Sequence, residues 1–268
     1  MALKDITLGQ YFPGNSFIHQ LDPRTKLLFT VLYIVALFSA KRLPSYLLLM
    51  AVLAVCIQIS RVRLKTILRG MKPILFIIVL TAILNLFYTP GDPIWQWKFL
   101  KITVEGIWAA IYMVLRISML ITCTFLLTYT TSPILLTDGL EKLLGPLKKL
   151  RVPVHELSMM MSIALRFIPT LIEETDKIMS AQKARGADFD TGNLFQKARA
   201  LVPLLVPLFI SAFRRADELA IAMECRCYHG GEDRTRLRQL IFVRRDYLAL
   251  AGSIFMVAAV YVLRYLGW

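Results

Sequence analysis

The chain has 268 residues, and 57% of them are hydrophobic, above the roughly 45–50% typical of soluble domains, which argues against an ordinary soluble protein. Its formal net charge is +14, from 32 Lys+Arg against 18 Asp+Glu, so it suits an anionic partner, either nucleic acid or a lipid surface. The four cysteines (Cys56, Cys123, Cys225, Cys227) do not form a secreted disulfide framework, and the first two lie inside apolar runs.

Met1–Leu21 lacks a basic region followed by an apolar run and a small-residue cleavage site, so no removable signal peptide is expected. Beyond it, five stretches approach the roughly 20 apolar residues a membrane span needs. They are Leu27–Ala40 (extendable to about Leu43), Tyr46–Ile59, Pro73–Tyr88, Val104–Tyr129 and Tyr247–Leu266. The first two, separated only by Lys41–Ser45, also suit a tight helical hairpin.

Placing the N-terminus inside puts 26 of the 32 Lys+Arg on the cytoplasmic side, 18 of them between Pro133 and Arg245. Lys41, Arg42, Lys98, Lys101 and Arg264 are then left outside, and Arg116 falls within the fourth span. The rule gives an inner N-terminus and, with five spans, an outer C-terminus. Trp95, Trp97 and Phe99 suit an interfacial aromatic belt, whereas the loop Ser60–Lys72 and Arg244–Arg245 suit an anionic inner leaflet. Topology accounts for the positive charge, and nucleic-acid binding is unnecessary.

Arg116 sits near the middle of span four, where a charge costs about 2.5–3.5 kcal/mol on the insertion scale and its apolar neighbours return about 3–6. One reading turns it into the bundle against backbone carbonyls or polar neighbours such as Asn85 or Thr122. The other makes it a contact to a membrane partner. A proton relay is not supported, since no Asp or Glu lies in the interior of a proposed span.

Residues 133–245 divide into three helical stretches. Pro133–Lys149 ends near Gly145-Pro146, Val154–Ala187 is expected to kink at Pro169, and Pro203–Cys227 follows a loop at Asp190–Asn193. Pro203 and Pro207 fit the start of the third helix better than its middle. Leu204, Leu208, Ala212, Ala216 and Ala220 recur every four residues, an apolar stripe that narrows to small side chains. With Ser180 and Ala184 on the second stretch, this predicts two long helices crossing closely at small residues. An ordinary helical hairpin core would give the same pattern.

Each of these helices ends in a cation, at Ala184-Arg185-Gly186 and at Cys225-Arg226-Cys227. A single terminal Arg is accounted for by the negative end of the helix dipole, and Gly186 by ordinary helix termination. Those rules do not explain why both long helices end alike, 41 residues apart.

These residues carry a resemblance. His19-Gln20-Leu21-Asp22-Pro23-Arg24-Thr25-Lys26, Leu165-Arg166-Phe167-Ile168-Pro169-Thr170 and Ala181-Gln182-Lys183-Ala184-Arg185-Gly186 resemble the transmembrane (T) component of energy-coupling factor transporters, prokaryotic importers of vitamins and metal ions. The likeness covers nearly the whole chain. The family's second Ala-Arg-Gly motif falls at Cys225-Arg226-Cys227, followed by Tyr228 and Arg234-Thr235-Arg236, with Cys in place of both Ala and Gly. The resemblance implies a non-catalytic coupling subunit whose Arg185 and Arg226 dock onto two cytoplasmic ABC-type ATPases. It also implies that the cytoplasmic helices contact a substrate-binding membrane S component. Met159, Met160 and Met161 would supply an adaptable surface for it, with Arg116 a further candidate contact.

The expected class is therefore an all-α integral membrane protein with about five transmembrane helices and long amphipathic cytoplasmic coupling helices. Residues 1–132 would form a four-span membrane domain, 133–245 the coupling region and 246–268 the last span. No ATP-binding G-x-x-x-x-G-K-[ST] and no H-E-x-x-H occurs, and Cys225, Cys227 and His229 lack the spacing of a closed zinc site. No cofactor and no metal are expected. His19 would support the first span. A secondary transporter would want intramembrane acids or a repeat. A membrane-bound lipid or isoprenoid enzyme would want clustered carboxylates, yet Glu173-Glu174-Asp176 with Lys177 suits a solvated helix face.

Overall fold

The computed structural model describes residues 11–90, 93–97, 100–187, 189, 193–230 and 240–266. Its contacts group these residues into two compact units, one from Gly9–Leu143 with Leu240–Trp268 and the other from Leu144–Gln239.

The first unit is a helical bundle. Helix α1 (Pro23–Ser39) starts where Asp22 accepts a hydrogen bond from the Arg24 N–H and Pro23 fills the first turn. Helix α2 (Leu43–Ser60) follows after three residues and ends at Arg61 in the left-handed conformation, φ 56°. Helix α3 (Leu64–Met71) runs through a 3₁₀ turn at Lys72–Ile74 into α4 (Leu75–Tyr88). The basic segment expected as a loop is therefore helical from Leu64 onward. Its cations alternate with Leu64, Ile67, Leu68 and Met71 at helical spacing, and Ile67 is buried.

Two short antiparallel strands, β1 (Pro93–Trp97) and β2 (Leu100–Thr103), join α4 to α5 (Val104–Thr130). This ribbon was not expected. Phe99 and the side chains of Trp95 and Trp97 lie outside the described residues, as does Lys98. Thr103 opens α5 by accepting from the Gly106 N–H at 3.0 Å. A Cβ on Gly106 would lie 2.8 Å from the Leu86 carbonyl oxygen, so glycine permits the close approach of α4 and α5. Helix α6 (Pro133–Leu143) lays Gly139 against Pro23 with the same tightness. The last helix of the chain, α9 (Arg244–Tyr265), returns to this unit.

The core collects Tyr33, Ala36 and Leu37 of α1, Tyr46, Leu49 and Leu53 of α2, Met119 and Cys123 of α5, and Met256 and Val260 of α9. Tyr33 donates to the Leu49 carbonyl at 3.3 Å, satisfying a hydroxyl that burial would otherwise strand. Among the described residues, four stretches are long and apolar enough to cross a membrane: Leu43–Ser60, Leu64–Tyr88, Val104–Thr130 and Arg244–Tyr265. Helix α1, expected as the first span, has 17 residues, about 26 Å of helix against a hydrocarbon layer of about 30 Å.

The second unit holds a 3₁₀ segment (Gly145–Leu150) and two long helices of 31 residues each, α7 (Val154–Ala184) and α8 (Leu194–Glu224). The first predicted stretch, Pro133–Lys149, is thus broken after Leu143. Helix α7 continues through Pro169. Helix α8 begins nine residues before the expected start at Pro203, with Asn193 and Gln196 closing a capping box, so Pro203 and Pro207 lie inside it.

The reason for this difference is local chemistry supplied from a neighbour. Pro207 has no N–H, which strips the Pro203 carbonyl of its partner four residues on. Gln182 of α7 donates to that carbonyl at 3.4 Å. Tertiary contact thereby tolerates a proline that propensity alone would place at a helix start.

Candidate coupling site

The two helix ends singled out by sequence share one backbone construction. At the end of α7, the Gly186 N–H donates to the Lys183 carbonyl and the Ala187 N–H to the Gln182 carbonyl, each at 3.0 Å. Gly186 is left-handed at φ +86°. At the end of α8, the Cys227 N–H donates to the Glu224 carbonyl at 2.8 Å and the Tyr228 N–H to the Met223 carbonyl at 3.1 Å. Cys227 is left-handed at φ 55°. Both are Schellman closures, and in both the residue before the left-handed one is the arginine.

Arg185 and Arg226 are exposed, and neither forms an ion pair among the described residues. Ala184, Gly186, Cys225 and Cys227 are exposed beside them. The last turns of a helix carry partial negative charge from unpaired carbonyls, which favours a cation there but leaves the guanidinium fork available. Arg234-Thr235-Arg236, beyond the second end, lies outside the described residues.

Between these ends, α7 and α8 are held by polar clasps. The Glu174 carboxylate accepts from the Ser211 hydroxyl and from Arg215 Nη2, the latter at 2.8 Å. Glu174 therefore belongs to the seam between helices and not to a solvated face, although Glu173 beside it is exposed. Among the described residues, no group of three His, Cys, Asp or Glu is arranged to hold a metal ion.

Leu204 is buried on α8, and Pro207, Leu208, Ser211, Ala212, Arg215 and Leu219 are half-buried. The seam follows this row. Of the positions expected at the helix crossing, Ala212 is half-buried, while Ser180, Ala216 and Ala220 are exposed. The outward face of α8 presents Val206, Phe209, Ile210, Phe213 and Ile221 to the surroundings. On α7, Met160 and Met161 are exposed and Met159 is half-buried.

In the first unit, Arg116 turns into the bundle. Its Nη2 and Nε take the Tyr46 hydroxyl as acceptor at 2.7 and 3.1 Å, and Nη2 reaches the Ala40 carbonyl at 3.3 Å. The partners named from sequence are engaged elsewhere: Asn85 donates to the Thr81 carbonyl, and Thr122 to the Ser118 carbonyl. The Phe38 ring also faces the guanidinium at 5.6 Å.

The stretch His19–Lys26 forms a largely buried knot. Arg24 grips Asp22 through Nε and Nη2 at 3.0 and 2.9 Å, donates to the Leu240 carbonyl and stacks on Phe242 at 3.9 Å. The Asp22 N–H donates to Asp246 Oδ1 at 2.8 Å, and Asp246 Oδ2 accepts from the Val243 N–H at the start of α9. Lys26 Nζ donates to the carbonyls of His19 and Thr130. His19 sits between Ser16 and the Phe12 carbonyl, and burial holds its imidazole below the ordinary pKa, so it is neutral at neutral pH. The lone acid at the start of the last span, Asp246, was the available signal for this knot.

A chain with several apolar helices long enough to cross a bilayer belongs to the class of multi-pass helical membrane proteins. The family described as CbiQ, cobalt transport protein, matches residues 14–237. The chain is 53% identical over 263 residues to the energy-coupling factor transporter transmembrane protein EcfT of Ruminiclostridium cellulolyticum, covering 98% of both chains. It is 55% identical to that of Clostridium kluyveri, covering 95% of each, and 47% identical to that of Bacillus subtilis, covering 98% of this chain and 99% of the relative. The chain belongs to this family of transmembrane components of energy-coupling factor transporters, a non-catalytic transporter subunit.

Proposed function

We propose that the chain couples two cytoplasmic ABC-type ATPases to a substrate-binding S component, with Arg185 and Arg226 each engaging one ATPase. The observation that carries this reading is the matched closure of α7 and α8. Two helix ends of different sequence hold an exposed arginine at the same point before a left-handed residue. A guanidinium fixed on a capped helix end loses little freedom on binding and presents a planar fork to carboxylates or carbonyls in a groove. The chain itself has no phosphate-binding loop, so energy must come from partners.

The charge distribution supports an inner N-terminus, an outer C-terminus and α1 as a fifth, short crossing, with residues 133–245 as the cytoplasmic coupling region. The exposed apolar face of α8 and Met160–Met161 suit a membrane partner, because contiguous apolar surface of this kind marks an interaction site. Arg116 suits bundle assembly better than a partner contact, since its donors are directed at Tyr46 and Ala40.

The test is uptake by the complete transporter in proteoliposomes. Arg185→Glu combined with Arg226→Glu should abolish uptake while the chain still inserts and retains its helicity. Uptake at the unsubstituted rate in that double variant would remove the arginines from the mechanism.

A further inference from the structure

The first unit contains an open-sided cavity of about 420 Å³ between α1, α2, α5 and α9, within the range of about 300–1,000 Å³ seen for small-molecule sites. Its wall is almost wholly apolar, including Phe29, Val52, Val55, Ile59, Leu126 and Leu127. Thr25 and Lys26 mark one edge of it. Thr25 is wholly buried, and its hydroxyl has no hydrogen-bond partner among the described residues.

A second cavity, of about 380 Å³, adjoins the end of α2 and is more polar than the first, its lining including Asn15, Ser16, His19, Arg61, Arg63 and Thr66. Following α2 toward its end, the wall passes from Val52, Val55, Cys56 and Ile59 in the first cavity to Ser60, Arg61 and Arg63 in the second. Hydrocarbon-lined space thus gives way to space lined by two exposed arginines within one helical turn. The chain entering α1 makes the same change between Phe17 and Ser16.

We propose that these two cavities form a specific site for an anionic phospholipid, with one acyl chain in the apolar cavity and the phosphate against Arg61 and Arg63. Apolar cavities are poor sites for water, and Val55, 52% exposed, leaves this one open on a flank where the surroundings are lipid tails. The order along α2, tail wall first and cationic wall at the helix end, is the order of groups in a phospholipid. The unpartnered hydroxyl of Thr25, a residue of the apolar cavity's wall, is a candidate donor to an ester oxygen. Arg245, 6.0 Å from the Phe17 ring, places a third cation beside a residue of the apolar wall. Generic attraction to anionic lipid needs only surface cations. Two cavities met in succession along α2, one apolar and one bearing those cations, select a molecule with both a chain and a phosphate.

The experiment uses the full chain, stripped of lipid in detergent and titrated with phosphatidylglycerol or phosphatidylcholine, with binding read by native mass spectrometry. The rate at which a lipid-soluble maleimide labels Cys56, on the cavity wall, is read in parallel. Phosphatidylglycerol should bind about tenfold or more tightly than phosphatidylcholine and slow the labelling. Arg61→Gln with Arg63→Gln, both exposed, should remove that preference. Val55→Trp, which fills the apolar cavity from an exposed position, should weaken binding of both lipids. Equal retention of the two lipids by the unsubstituted chain would overturn the proposal and leave annular lipid only. So would equal protection of Cys56 by glycerol 3-phosphate, which has the phosphate and no chain.

Discussion

At the end of α7 the residue after the arginine is Gly186, and at the end of α8 it is Cys227, yet both adopt the left-handed conformation and close the same pair of hydrogen bonds. Glycine enters that conformation freely, whereas a residue with a Cβ pays roughly 1–2 kcal/mol for it. The second end therefore holds its shape against a local preference, which the first does not. The comparison teaches that the shared feature is the position of the arginine, and that the flanking residues are one of several ways to fix it. Cys225 and Cys227 are free thiols, so no covalent bond sets the second end.

Charge reversal separates this account from one in which the arginines only complement helix dipoles. Arg185→Glu or Arg226→Glu alone should lower transport-coupled ATP hydrolysis at least about tenfold, since opposing a partner's acceptors costs far more than losing a cap. Near-normal hydrolysis in either single variant would mean that the two ends are not equivalent.

A smaller effect is expected at the clasp between the helices. Glu174→Leu leaves Ser211 and the half-buried Arg215 without their acceptor and should destabilise the α7–α8 pair by about 1–3 kcal/mol, read as a lower thermal midpoint of the purified chain. Conversion of Cys227→Gly should act in the opposite sense, stabilising the second end by about 1 kcal/mol with coupling intact. Loss of coupling in that variant would show that the thiol, and not the cap, is what the position supplies. The least change is expected from Ala216→Leu. Its exposure predicts a shift within about 0.5 kcal/mol in the isolated chain, so any larger effect on assembly would report a partner at that face.

The apolar helices were legible wherever the sequence ran uninterrupted. Val104–Tyr129 matches α5 to within one residue, because Arg116 is the one charge in the run beyond Glu105 in its first turn. Where charges or prolines intervene, local rules pointed the wrong way. Lys65, Arg69 and Lys72 made α3 look like a loop, and Pro203 and Pro207 shortened α8 by nine residues. In the second case the compensating donor, Gln182, is 21 residues away and belongs to another helix. The arginine motifs were legible because Arg185 and Arg226 stand at recognisable helix ends. The clasp of Glu174 with Ser211 and Arg215 and the knot of Asp22 with Asp246 were not, because each joins groups that only the folded chain brings together. The stripe predicted at Leu204, Leu208, Ala212, Ala216 and Ala220 lies on the seam at its first three positions, which are buried or half-buried, whereas Ala216 and Ala220 are exposed and Ser211 and Arg215 continue the seam.

The central claim is that each arginine holds its own motor subunit. Native mass spectrometry of the full chain mixed with excess ATPase subunits counts those held by the unsubstituted protein and by the Arg185→Glu, Arg226→Glu and double variants. Either single substitution should release one ATPase, and the double variant should release both. Retention of the full complement by the double variant would contradict it.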